Sequence, residues 1–340
     1  MSGEVTLDRR RRMLILFICC MSILVVSLDS TIVNVALPAI HRSLHASFST
    51  LQWTVDAYTL VLASLLMLSG STADRIGRRR VFQIGLTVFS LGSLLCALAP
   101  TAGLLVAARV LQAVGASMLN PVAMSIIRNV FEDPRERAQA IGIWAGVVGI
   151  SMALGPVLGG ALVDGPGWRW VFLVNLPIGL LAFVLTRAYV PESRAPRARR
   201  RDPVGQALVL TLLFSLTYAI IEGSRHGWTS PLIVALFAIA LAALVTLVPY
   251  ELRRDQPLIE PRFFQSAPFA GASVIAICAF AALGGFLFLN TIYLQVSRGL
   301  SPLDAGLYTL PMALAWFAFG PISGRMVARL GPRPSLLTGG

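Results

Sequence analysis

The 340 residues are 56% hydrophobic and only 13% charged, with a mean hydropathy of +0.75, whereas soluble domains carry about 25% charged residues. No water-soluble globule could hide that much apolar surface, so the chain reads as an all-α polytopic membrane protein. The net charge of +12 comes from arginine alone: about 23 of the 28 basic residues fall in alternate connections, about four in the opposite ones, and one, Arg109, inside an apolar run. This is the positive-inside asymmetry. It accounts for the basic balance without a nucleic-acid partner and places the N-terminus on the cytoplasmic side of the inner membrane.

A spanning helix needs about 20 apolar residues. Ten windows meet that in chain order: 14–38, 51–73, 81–99, 103–127, 138–163, 169–189, 204–223, 230–250, 268–294 and 303–327. Residues 1–12 form a basic cytoplasmic segment, and the apolar run after Arg9–Arg12 reads as an uncleaved first helix. Residues 13–190 make a six-helix bundle, and 191–203 are a basic cytoplasmic linker. Residues 204–250 are an inserted helix pair, and 251–340 begin a second bundle. An internal echo supports the division: "GSTADRIGRR" at 70–79 aligns with "GRMVARLGPR" at 324–333. Duplicated bundles are the usual build of secondary transporters. On that alignment helix 10 repeats helix 2, and four further helices are expected beyond residue 340, which marks the chain as truncated.

Cys19, Cys20, Cys96 and Cys278 lie in apolar runs without metal spacing, so neither a disulfide nor a metal or other cofactor is indicated. His41, His45 and His226 fall in short outward-facing connections. No nucleophile–base pair marks an enzyme.

The chemistry lies in a few polar residues at membrane depth. "SLDSTIVNVALP", residues 27–38, puts Asp29 in an apolar run, where a carboxylate costs about 2.5–3.5 kcal/mol or more. In "LLVAARVLQAVGASMLNP" Arg109, Gln112, Ala113, Ala116 and Asn120 share about a third of the helix circumference. Asp29 and Arg109 lie at similar depths and are expected to interact, directly or through water, with Gln112, Asn120 and Asn34 at a substrate cavity. Two readings stand for Asp56: a carboxylate favoured by the positive helix end, or a second acid at the cavity mouth. Glu222 reads as interfacial. In "IGIWAGVVGISMALGPVLGGAL" Gly142, Gly146, Gly149, Ala153, Pro156 and Gly160 form a narrow small-residue stripe. It permits close helix approach, and Pro156 permits a bend. "GSTADRIGRRR" supplies a tight turn, with Gly70 and Gly77. In it Asp74, Arg75 and Arg78 either set topology or lock two bundles together.

"GSTADRIGRRR", "RVLQAVGASMLNP" and "GISMALGPVLGG" resemble three signature motifs of the major facilitator superfamily, the last being the one that marks antiporters. "LDSTIVNVALP", "WTVDAYTLVLA" and "GWRWVFLVNLPIG" look like the 14-helix drug:proton antiporters of the EmrB/QacA type. The resemblance implies proton coupling at Asp29 and Arg109, and a bundle interface shaped by Gly155, Pro156, Gly159 and Gly160. It also implies a cytoplasmic gate at Asp74 and, in some members, handling of cationic drugs at the acid matching Asp56. Ala113 stands where a glycine is usual. The expected function is proton-driven export of small amphipathic or cationic compounds by alternating access, with protons, substrate and the lipid bilayer as partners and a monomer as the working unit. Two alternatives stay open: an exporter dedicated to one metabolite, and a non-transporting membrane protein.

Overall fold

In a computed structural model, residues 8–195, 202–254, 257, 260–330 and 334 are described, and they contain helices and no strand. Ten long helices follow one another. They are α1 Arg9–Leu44, α2 Phe48–Ile76, α3 Arg78–Leu98, α4 Ala102–Val130, α5 Pro134–Asp164, α6 Trp170–Tyr189, α7 Pro203–His226, α8 Pro231–Leu252, α9 Ala267–Ser297 and α10 Pro302–Leu330. Among the described residues, α1 to α9 are long and apolar enough to cross a membrane. The second copy of the echo falls mostly on positions outside the described residues or side chains.

Helix starts follow the caps. Ser47, Thr101 and Ser230 accept from the backbone N–H three residues on, and Asp133 accepts from both Arg135 and Glu136, ahead of Pro134 at the first helical position. The expected boundaries were short at α1, which begins at Arg9 and runs through Pro38 to Leu44. Pro38 removes one donor near the end of the helix, where the cost is small. Helix α6 is broken at Val174 into Trp170–Leu173 and Asn175–Tyr189. Pro177 has no N–H for the carbonyl of Leu173, four residues back, and its ring crowds that carbonyl.

Helix α1 is the central post, packed on α4, α5 and α6, while α4 lies between α2 and α3. The pair α7–α8 docks on α2 through α7, α9 rests on α1, and α10 packs along α5. Lipid tails are as apolar as leucine, so association relies on close packing through small residues. Gly85, Gly92 and Gly115 bring α3 and α4 together: a Cβ at Gly92 would stand 2.5 Å from the Gln112 Cα, and one at Gly115 would overlap the Phe89 backbone nitrogen. Gly115→Ala is expected to lower stability by about 1–3 kcal/mol. Gly142→Ala, whose Cβ meets nothing within 4 Å, is expected to be neutral or to raise it by about 0.4–1 kcal/mol. Thermal melts of the two variants in detergent give the comparison.

Two apolar cores form inside the bundle. One holds Ile15–Val26 of α1 with Ala113–Val130 of α4, and the other holds Leu28–Ile40 of α1 with Cys96 and Leu105. A buried polar layer lies between them.

Candidate functional site

Asp29 and Arg109 meet in that layer, with their side chains 0% and 1% exposed. Arg109 Nη1 donates to Asp29 Oδ2 and, at 2.8 Å, to Gln112 Oε1, and its Nε donates to the Thr54 carbonyl at 3.0 Å. Asp29 Oδ1 accepts from Gln112 Nε2 at 2.8 Å and Asn175 Nδ2 at 3.1 Å. Ser93 Oγ accepts from Gln112 and Asn175 at 3.2 and 3.1 Å and donates to the Phe172 carbonyl at 2.8 Å. The guanidinium lies 4.1 Å from the ring centre of Tyr58, a cation–π geometry that desolvation strengthens. Five helices thus supply one network: Asp29 from α1, Thr54 and Tyr58 from α2, Ser93 from α3, Arg109 and Gln112 from α4, and Asn175 from α6. Helical spacing aims each pair inward, with Arg109 and Gln112 three apart and Thr54 and Tyr58 four apart. Asn175 begins the second segment of α6 and is fully buried against Asp29 and Ser93.

A separate cavity of about 660 Å³ opens on the other side of α1. Ser30, Asn34, Asp56, Asn120, Met152 and Phe280 are on its wall, and Asp56 is the single formal charge among the described lining residues. Asn34, Asp56 and Asn120 therefore stand where a solute would sit. Gln112 does not: it is fully buried and bonded to Asp29, which corrects its expected place on the cavity wall. Asn120 is eight residues from Gln112, and at 100° per residue that turns it about 80° away.

The Gly70–Arg78 segment forms a tight turn. Gly77 has φ +119°, and a Cβ there would reach 2.5 Å from Glu192 Oε1, a conformation and a clearance suited to glycine. Arg78 donates to Asp74 Oδ1 at 3.1 Å, within the turn. The segment after α6 lies against it: the Arg78 N–H donates to the Ser193 carbonyl at 2.9 Å, the Ala195 N–H to the Asp74 carbonyl at 3.0 Å, and the Arg79 N–H to Glu192 Oε1 at 3.1 Å. The Asp74 carbonyl thus joins the turn to the segment after α6. Arg75 lies in the last turn of α2 and Gly70 in ordinary contact with Pro121.

The α5 stripe divides. A Cβ at Gly155 would overlap Thr31, and one at Gly159 would stand 2.9 Å from Ile32, both on α1. Gly160 faces the backbone of Pro302 and Leu303 at the start of α10, and Gly306 of α10 faces the carbonyl of Pro156. Cβ atoms at Gly142, Gly146 and Gly149 would meet nothing within 4 Å. Of the expected stripe, close contact is thus made, among the described residues, at Pro156 and Gly160, while Gly155 and Gly159 lie on another face of α5 and meet α1.

Sequence reasoning missed Asn175, Ser93, Tyr58, Glu192 and Gly306. Glu192 carried a signal, as an acid in an arginine-rich linker. Glu222, expected to be interfacial, is 6% exposed and accepts from Ser49 Oγ and, at 3.1 Å, from Trp53 Nε1, tying α7 to α2.

Comparison with known proteins bears on this arrangement of helices. The sequence profile described as "Major Facilitator Superfamily" matches residues 19–340. The chain belongs to the major facilitator superfamily. It is 39% identical over 330 residues to the multidrug resistance protein Stp of Mycobacterium tuberculosis, covering 97% of this chain and 62% of that one. It is 38% identical over 307 residues to the methylenomycin A resistance protein of Streptomyces coelicolor, covering 90% and 64%. It is 38% identical over 324 residues to the multidrug efflux pump LfrA of Mycolicibacterium smegmatis, covering 95% and 64%. The chain thus spans somewhat under two thirds of the length of these curated relatives. Among solved structures, a POT family transporter in complex with a thioalcohol-conjugated peptide superposes with a TM-score of 0.66 at 14% identity, covering 95% of this chain and 71% of that one. The proton:xylose symporter XylE gives 0.61 at 15%, covering 96% and 71%. At such identities the likeness is one of fold.

Proposed function

We propose that this superfamily member is a proton-coupled secondary transporter that exports small amphipathic or cationic compounds by alternating access. It works as a monomer in the inner membrane with its N-terminus in the cytoplasm. The observation that carries the reading is the sealed Asp29–Arg109 pair, one residue along α1 from Ser30 on the wall of a cavity that holds Asp56. A proton on Asp29 neutralises the carboxylate, weakens its hold on Arg109 and Gln112, and changes the packing of α1 on α4 and α6. Only such a difference between states lets a proton bias a conformational equilibrium. The substrate occupies the cavity, its positive charge near Asp56 and its apolar body against Phe280 and Phe288. The drug-resistance and efflux names of the relatives support export. Arginine asymmetry supports the orientation, and the α7–α8 pair, set between the first bundle and α9–α10, supports the 14-helix antiporter type. In this reading the Asp74–Arg78 turn, with Gly70, Arg75 and Gly77, gates the cytoplasmic side. Of the α5 residues expected at the bundle interface, Pro156 and Gly160 meet α10 and are the contact along which the halves move, whereas Gly155 and Gly159 pack on α1 and a Cβ at Gly149 would meet nothing within 4 Å.

In everted vesicles loaded with a pH-sensitive dye and holding an acid interior, adding the lipophilic cation tetraphenylphosphonium is expected to release protons. Absence of any cation-dependent proton flux would reject the proposal. Asp56→Asn is expected to raise the half-saturating concentration of the cation about tenfold, the loss of one charge-assisted contact, with little change for a neutral substrate. Equal rises for both would place Asp56 outside substrate recognition. A second reading, an exporter dedicated to one metabolite, draws on the methylenomycin A and tetracenomycin C resistance proteins among the relatives. Under it, chemically unrelated cations would fail to compete with one another.

A further inference from the structure

The inserted pair touches the bundle in an unusual way. Helix α7 is pinned to α2 at two levels, where Glu222 takes Ser49 and Trp53, and where Gln206 donates to the Ser64 carbonyl. Between the pins the helices part and leave an open groove of about 620 Å³ whose wall is almost wholly apolar. Trp53 and Leu60 of α2, Val110 of α4, and Leu210, Phe214 and Tyr218 of α7 line it. Trp53, Phe214 and Tyr218 cluster at one end, with ring centres 5.6–6.3 Å apart. The groove runs along helices that cross the bilayer and opens sideways, away from the cavity that holds Asp56.

Above its aromatic end the chemistry changes. Arg225 is seven residues beyond Tyr218, so it continues the same face of α7 about 10 Å further on. Its side chain is 69% exposed, and its Nη1 lies 4.0 Å from Oε2 of Glu222, whose Oε1 accepts from Ser49 and Trp53. Trp228, 55% exposed, lies just past the end of α7, and a Cβ at Gly223, two residues before Arg225, would stand 2.6 Å from its ring. Tryptophans gather where hydrocarbon gives way to headgroups, so Arg225 lies at headgroup height with its apolar groove running into the hydrocarbon.

We propose that this groove is a binding site for a single phospholipid with an anionic headgroup, one acyl chain lying between α2 and α7 and the phosphate on Arg225. The lipid fills the space that the two pins leave and fixes the inserted pair against the bundle. Apolar walls with one cation at the rim match an acyl chain joined to a phosphate. A hydrated metabolite finds almost no polar partner on that wall. The inference rests on the spanning fold and stands apart from the transport reading.

The test uses the purified protein in nanodiscs made with phosphatidylglycerol or with phosphatidylethanolamine, each with brominated acyl chains that quench nearby tryptophan. The Trp53 signal is the difference between wild type and Trp53→Phe, and the Trp228 signal, obtained likewise, is the control for bulk lipid. Trp53 is expected to show about a fivefold preference for the anionic lipid, with none at Trp228. Arg225→Gln, at an exposed position, is expected to abolish the preference, and Thr211→Phe, which fills the groove, to abolish quenching of Trp53 while leaving that of Trp228. Equal quenching of Trp53 by both lipids, a preference that survives Arg225→Gln, relief of quenching by a soluble aromatic compound in place of lipid, or no quenching of Trp53 at all would each overturn the proposal. None of these outcomes touches proton-coupled transport.

Discussion

Asp29→Asn is expected to bring cation-driven proton release in everted vesicles down to the level of vesicles without the protein. The folded protein should still be recovered from the membrane, because an amide oxygen at that position still accepts from Arg109 or Gln112. What the amide cannot do is gain and lose a proton, the step that the proposed coupling requires. Asp29→Glu keeps the titrating group but pushes it about one methylene further into a layer where Gln112, Asn175 and Ser93 are already within 3.2 Å of their partners. It is expected to retain slow coupling. Proton release at wild-type rates from Asp29→Asn vesicles would remove the carboxylate from the mechanism.

Arg109→Met should produce the largest loss of stability. Its guanidinium holds Asp29, Gln112 and the Thr54 carbonyl from one planar group while stacking on Tyr58. Removing one partner of a buried pair strands the other charge and costs about 3–5 kcal/mol. Asp29→Asn/Arg109→Met, which deletes both charges, is expected to be more stable than Arg109→Met alone, and a double-mutant cycle read from thermal melts gives the coupling. Arg109→Lys is not a conservative change here, because a single ammonium cannot reproduce the planar fork. A double variant less stable than Arg109→Met would show that Asp29 is held in place by something other than the pairing.

Nine of the ten expected spans, α1 to α9, were legible because each is an apolar run between arginines or turns, and the encounter of Asp29 with Arg109 followed from opposite charges at similar depths. Direction was harder to read. Periodicity says which residues share a face and not what stands opposite. Gln112 turned out to belong to the sealed network while Asn120 faces the cavity, and Gly155 and Gly160 meet different neighbours while Gly142 and Gly149 face open space. Ser93 and Asn175 gave no signal, since one serine or asparagine in a spanning helix resembles many others, and only the packing of α3 and α6 on α4 brings them to Asp29. Glu222 ends a helix beside Arg225 and His226, which pointed to an interfacial position but not to its burial against α2. Its burial depends on Ser49 and Trp53, more than 160 positions away in sequence. The interruption of α6 ahead of Pro177 could have been read from "NLPIG".

The central claim is that Asp29 changes protonation state while the bundle works. Infrared difference spectroscopy of the purified protein, taken between acid and alkaline samples, reports this directly through the stretching band of a protonated carboxyl group. The account predicts a band in the wild type that disappears in Asp29→Asn and shifts on addition of the transported cation. A difference spectrum identical in wild type and Asp29→Asn, with or without the cation, would contradict it.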